Sequence, residues 1–506
     1  MQRLGIIACL VMPSRVWAQL PAVGVPGGTV RVELEGSLET FDRRFHNGQR
    51  ESYAADLSSP ALGSDRIPLL ADADARIGRI IGNTGYRLNL GAVTTDALAD
   101  VGKGIFGLGL GLTNRITIFG RIPLVRTRVQ THLALTSTNA DGGLNPGEDS
   151  QLPFFSDFDV ALATLSSKLA AGDYNGDPAQ LALAQATLAQ GTALRSDLFG
   201  LLADPTTASP VVPTITSGTG AAVLTRIATL QNTLASSLSV PGFSVAPVLP
   251  VDPVGDDGLR QVLAGPLALR VGESKVTFRG DAEAGAALTL VDRWDRGTSR
   301  GGLRVAVSGL VRFPTGLADQ PDRPLDIGSG DEQTDLQIDV ATDLGAGAFG
   351  ARLAGTYVRQ LPSTILARVA PPSQPFVGPD RLALVRRDPG DIIAIDVRPF
   401  YRLARTLALQ AGLRHWTRKM DQVTYASAAD ALPGVDASVL AEETAANATL
   451  LSAGLTYSNP GRFRAGGSGL PVDASWSYER VLRSGKGRVP GTHRVRASLR
   501  MYFGLW

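Results

Sequence analysis

The sequence predicts an all-β fold: an antiparallel outer-membrane β-barrel of 12–14 strands, fourteen favoured, with an α-helical insert in a long loop. Three observations predict it. Apolar and polar residues alternate in segments of roughly ten, the form of a strand with one greasy and one wet face. The connections between those segments alternate short and long. The chain also opens with an export signal.

That signal is the first element. Residues 1–18 read MQRLGIIACLVMPSRVWA: Arg3 gives a positive start, 4–12 an apolar stretch, and Ala18 a small residue before a cleavage point. The lipobox-like run ending in Cys9 leaves only eight residues ahead of the Cys, too few for an apolar stretch of its own. Cleavage after Ala18 removes the single Cys, so the exported chain uses no disulfide.

The clearest hairpin spans 104–123. Leu108, Leu110 and Leu112 alternate with Gly107, Gly109 and Gly111; Thr113-Asn114 turns the chain; Ile116, Ile118 and Ile122 continue against Thr117, Phe119 and Arg121. The pattern returns around Leu288, Val305, Ile338, Ile395, Leu409 and Leu455. The chain ends HRVRASLRMYFGLW, with Val495, Ala497, Leu499, Met501 and Phe503 alternating against Arg494, Arg496, Ser498, Arg500 and Tyr502. It closes on the aromatic Trp506, as outer-membrane barrels do, one residue out of phase with that apolar set.

Strands are expected near 28–45, 86–95, 104–112, 115–135, 276–292, 301–313, 334–344, 348–360, 391–403, 406–418, 446–458, 471–483 and 492–505. That is an odd number, and bacterial barrels close with an even one. A strand at 49–58 after the Asn47-Gly48 turn makes fourteen; dropping 86–95 makes twelve. Short connections fall at 113–114, 294–298, 345–348 and 404–405, and long ones at 136–270, 315–333, 362–390, 419–445 and 484–492. Barrels show this asymmetry between periplasmic turns and outer loops. A soluble β-sandwich has the same alternation, but its inner faces do not carry so many charges.

Residues 154–240 are different: rich in Ala, Leu, Gln and Thr at helical spacing. Phe158, Leu162, Leu165 and Leu169 suit one helix, Leu181 to Leu198 a second, and Val223, Ile227, Leu230 and Leu234 a third; 68–81 suits a short one. The organisation is therefore 1–18 signal, 19–153 first barrel strands, 154–253 helical insert as outer loop or plug, and 254–506 remaining strands.

Composition excludes other classes. With 49 Lys+Arg against 47 Asp+Glu there is no basic field for nucleic acid. At 44% apolar the chain is not disordered. The four His (His46, His132, His415, His493) form no metal pair in sequence, and no G-x-S-x-G occurs. His132 and His415, near the ends of expected strands, could hide a Ser–His site on the barrel, and polar lumen or loop residues are the simpler account of each. Asp173 to Asp177 lacks the spacing of a calcium loop and reads as a turn between helices. Gly107 to Gly111 is a small-residue strand face, not a phosphate loop. Neither an enzyme nor a bound cofactor or metal is expected.

The polar strand faces supply the candidate functional residues, a lumen lining of Asp281, Glu283, Arg304, Arg312, Asp335, Gln337, Asp339, Arg352, Asp396, Arg398, Gln410 and Arg414, with Asp473 beside them. Such a face either pairs across strands into a stiffening network or forms a polar eyelet.

Two stretches resemble the outer-membrane barrel family labelled "putative phenol meta-degradation pathway protein", or simply transporter. The first is GLGLGLTNRITIFGRIPLVRTRV, 107–129. The second comprises GDAEAGAALTLV (280–291), RFPTG (312–316) and IGSGDEQTDLQIDVA (327–341). Together they cover about a third of the exported chain, and the helical insert has no counterpart in them. The resemblance implies an outer-membrane barrel that moves apolar or aromatic compounds; it brings no binding residues with it. The expected function is passive uptake of small apolar solutes through the outer membrane, with membrane lipid as the other partner. The alternative is a closed structural barrel that displays the insert for interaction. Substrate and oligomeric state stay open.

Overall fold

The computed structural model describes residues 24–294, 301–404, 406–459 and 471–505. Thirteen segments form one closed antiparallel sheet: β1 Thr29–Phe41, β2 Ala92–Gly111, β3 Ile116–Thr136, β4 Glu273–Arg279, β5 Glu283–Trp294, β6 Gly301–Arg312, β7 Asp335–Ala346, β8 Phe349–Gln360, β9 Ile392–Arg402, β10 Leu407–Arg418, β11 Ala446–Ser458, β12 Val472–Lys486 and β13 His493–Gly504. Each pairs with the strand next to it in the chain, except that β4 and β5 both pair with β3 and not with each other, and β1 pairs with β13 from Thr29↔Gly504 to Thr40↔His493. Among the described residues this closure leaves only the short β4 with a single sheet partner.

The barrel has twelve staves, because β4 and β5 share one. β3 pairs with β5 over 116–121 and with β4 over 124–130, and the register slips by one across 280–282. The favoured count of fourteen is thus corrected. Residues 49–58 supply only the short strand Gln49–Ser52, in a separate three-stranded sheet. Residues 86–95 and 104–112 are not two strands: Ala92–Gly111 is continuous.

A change of environment explains that continuity. Along the lower part of β2, Phe106 and Leu108 point outward and are exposed. Higher up, Ala97, Ala99 and Val101 are buried inward while Asp96 and Asp100 face out. The apolar face switches sides where the strand leaves lipid and enters water. β3 does the same, from outward Ile122 and Leu124 to inward Val125, Val129 and Leu133.

The lower zone is a lipid belt. On β1 it runs over 30–38, from Val30 to Leu38, which is 70% exposed. Nine residues cover roughly 30 Å along a strand and about 23 Å after the usual tilt, matching a barrel's apolar band. At the short-turn end Phe349, Tyr401, Tyr457 and Phe503 face outward as an aromatic girdle, the first two with rings 4.9 Å apart.

The long connections gather at the other end. Between β3 and β4 lie α2 Glu148–Ala171, α3 Pro178–Leu202, α4 Gly218–Asn232 and α5 Asp256–Ala264; between β1 and β2 lies α1 Ala71–Ile81. The helices share one apolar core with the inward faces of the protruding β2–β3 ribbon. Phe154, Phe155, Phe158, Phe199 and Phe243 cluster at its centre. Arg79 on α1 clamps Asp197 on α3 at 2.7 Å. Asp177 caps α3 by accepting from the backbone of Ala179, and Gly172 ends α2 in the left-handed region, so 173–177 is a helix-connecting turn. The signal peptide, Cys9, Trp506 and most of the 294–298 turn lie outside the described residues.

Candidate functional site

The candidate lining residues, except Asp281, which lies in the 280–282 break between β4 and β5, stand on the inward strand faces. There they pair into a network that crosses the barrel from stave to stave. Glu33 on β1 accepts from Arg500 on β13 at 2.8 Å and faces Arg121 on β3 at 3.4 Å. Arg121 reaches Glu283 at 3.7 Å, Glu283 pairs with Arg312 at 3.4 Å, and Arg312 donates to Asp335. Arg352 binds Asp343 at 2.5 Å, and Arg304 lies between Asp292 and Asp343. Gln337 donates to Asp339 at 2.5 Å, and Arg398 to Asp396 at 2.5 Å. Tyr502 donates to Asp473 at 2.5 Å. Arg352 and Arg500 are each only 1% exposed, so at their level side chains fill the lumen.

Several members of the network are absent from the sequence-based list. Arg31, Glu33, Glu35 and Glu39 on β1, Arg121 on β3, Glu479 on β12, and Arg494, Arg496 and Arg500 on β13 all belong to it. The period-2 rule that found the others also holds on β1 and β13. The glycines of β2 make the crossing possible. A Cβ at Gly107 would meet Arg121 at 3.1 Å and Glu33 at 3.4 Å, and one at Gly109 would meet the Arg31 guanidinium at 3.5 Å. The Gly-Leu alternation leaves room inside for arginine while presenting leucine to lipid.

The short-turn mouth holds a stopper. Val25, 1% exposed, donates its N–H to the Thr117 hydroxyl at 2.7 Å, and its carbonyl accepts from that hydroxyl at 3.2 Å. A Cβ on Gly109 would lie 3.4 Å from Val25, directly beneath Arg31.

The wall is interrupted at 280–282, between β4 and β5. Here three glycine-bearing stretches converge. Thr315 donates to the Gly280 carbonyl at 2.8 Å and accepts from Ala282 N–H at 2.9 Å. Gly316 N–H donates to the Asp281 carboxylate at 2.8 Å. Ser329 donates to the Arg279 carbonyl at 2.9 Å and accepts from Leu317 N–H at 2.9 Å. A Cβ at Gly330 would fall 2.4 Å from Asp281. The 313–334 connection therefore latches the break. On its lumen side Gly280 packs against Val125 and Pro123, where the apolar core meets the polar network. Within that latch, burial pushes the Asp319 carboxyl up to about 6. Burial, with the Asp335 and Asp281 carboxylates nearby, pushes Asp331 up to about 7.

His132 and His415 do not meet. Both face outward, on β3 and β10, which are not neighbours in the sheet. His415 pairs with Thr449 at 3.0 Å, His493 with Tyr478 at 2.7 Å, and His46 with Glu443 at 3.1 Å. Among the described residues no cluster of three or more His, Cys, Asp or Glu is arranged to hold a metal ion.

No family model matches the chain, and no curated protein does. Solved structures do. The COG4313 outer membrane channel from Pseudomonas putida F1 is 11% identical, with 96% of this chain and 99% of that one covered at a TM-score of 0.43. The CymD monoaromatic hydrocarbon channel is 10% identical, covering 95% and 89% at 0.29. A TodX monoaromatic hydrocarbon channel variant is 10% identical, covering 95% and 91% at 0.30.

Proposed function

We propose that the chain is an outer-membrane barrel for passive uptake of small apolar or aromatic compounds, and that they leave sideways through the latched break at 280–282. The observation that carries this reading is where the break lies. Above it is an apolar core continuous with the helical cap; below it the lumen is filled with paired charges. An apolar solute entering from above gains nothing from the charged network and would have to strip paired ions to pass it. The wall break beside it, latched here by 313–334, lies level with the outward-facing Ile122 and Leu124 of β3.

The test is uptake of labelled toluene by cells making the wild-type chain, the Ser329→Ala and Asp281→Asn variants, or none. Loosening the latch should raise uptake severalfold over wild type. Uptake equal to that of cells lacking the protein, in wild type and both variants, would overturn the reading.

A second reading has an observation of its own. The filled lumen and the stopper at Val25 suit a closed structural barrel that displays the helical insert to a partner. Deleting 154–240 would then abolish partner binding while the barrel still assembles.

A further inference from the structure

We infer that the lumen holds a binding site for a small carboxylate with an apolar body, seated between Trp416 and the arginines around Glu479. The inference rests on the chain being a solute conduit and names the solute's chemistry.

The site lies on the inward face of β10, β11 and β12. Most of the belt-level lumen is polar, but here an apolar island interrupts it: Trp416, Leu450 and Val489, with Val481 packed alongside. A cavity of about 30 Å3 opens against this island, with Pro490 in its wall and Arg414, Glu479 and Arg494 at its floor. A second cavity of about 10 Å3 continues from that floor past Glu479 and Arg494 to Arg398, Arg496 and Gln410. The two spaces share the Glu479 carboxylate.

Glu479 has four guanidinium groups around it, from Arg494, Arg496, Arg414 and Arg398. It is ion-paired with Arg494 at 2.9 Å. The Nε and Nη1 atoms of Arg398 are buried without a hydrogen-bond partner among the described residues, while the Nε of Arg496 lies 3.2 Å from Glu35. Both side chains are more than nine-tenths buried. A buried guanidinium nitrogen without an acceptor is costly, and a carboxylate is the acceptor whose planar fork matches it. Glu479 marks the position a ligand carboxylate would share. The Trp416 face is then at hand for the ligand's apolar body, as an aromatic or short aliphatic group requires. The lower space beside Arg398 receives the carboxylate, and the upper one beside Trp416 receives the first carbons of the apolar body.

The test titrates refolded full-length protein with sodium benzoate and follows tryptophan fluorescence. Benzyl alcohol serves as the uncharged control and sodium chloride as the control for charge alone. Wild type should give a saturable change that Trp416→Phe removes. Arg398→Gln should weaken binding about tenfold, and Glu479→Gln, which removes the competing carboxylate, should tighten it about tenfold. An equal response to benzyl alcohol or to chloride would overturn the inference. So would the absence of any saturable response in both wild type and Glu479→Gln, with circular dichroism showing folded barrels. Binding without toluene uptake would defeat the proposed function and leave this site standing; uptake without binding would do the reverse.

Discussion

At the scale of single residues, the lumen is governed by the cost of an unpaired buried charge. Glu33 receives Arg500 at 2.8 Å and also lies near Arg121 and Arg31. Glu33→Gln keeps the shape and removes the charge, leaving three buried cations short of an anion. Breaking a buried pair from one side costs about 3–5 kcal/mol. The variant should unfold at clearly lower urea concentration in lipid vesicles, and the added change Arg500→Met should recover part of the loss. An unchanged midpoint would mean that water, not Glu33, satisfies these arginines. Residues of this kind were legible as inward-facing polar positions, because alternation assigns a face to every residue of a strand. Their partners were not legible. Pairing Glu33 with Arg500 requires the first and last strands to meet, which only closure of the sheet decides.

At the scale of elements, two features escaped the sequence for physical reasons. The first is the length of β2. Its apolar face changes sides near 102, because lipid surrounds the barrel below and an apolar cap fills it above. Period-2 reading assumes one apolar side per strand, so it splits such a strand in two. The second is the latch. The Gly280-Asp281, Thr315-Gly316 and Ser329-Gly330 pairs were visible as motifs, but their meeting at one wall break is a tertiary fact. The latch also carries a prediction. Asp331 is held near 7 in the folded loop, against 3.8 when free. The folded loop thus binds a proton more tightly than the released one. Its hold is fullest below about 4 and weakens as pH rises toward 7. A fluorophore on Gln320→Cys should therefore report greater mobility by anisotropy at pH 8 than at pH 5, and Asp331→Asn should flatten that difference. A loop that tightens on raising the pH would reverse the assignment.

At the scale of the whole molecule, the barriers are stacked: a helical cap above, a charged network across the belt, and Val25 at the short-turn mouth. They are separate in kind. The cap closes by apolar packing, the network by ion pairing, the stopper by one residue's bonds to Thr117. Removing the cap exposes the inward faces of Val93, Ala97, Val125 and Leu133 but touches no ion pair of the belt. In planar bilayers the full chain should therefore pass almost no ionic current, and deleting 154–240 should not open it. Ions must displace paired charges along the axis, and the deletion leaves those in place. Combining Glu33→Gln with removal of residues 19–26 attacks network and stopper together, and steps of current should appear there first. Discrete openings on deleting the insert alone would make the cap the true barrier and the network a hydrated eyelet. The solute would then travel along the axis, and the break at 280–282 would be a flaw in the wall sealed by its latch.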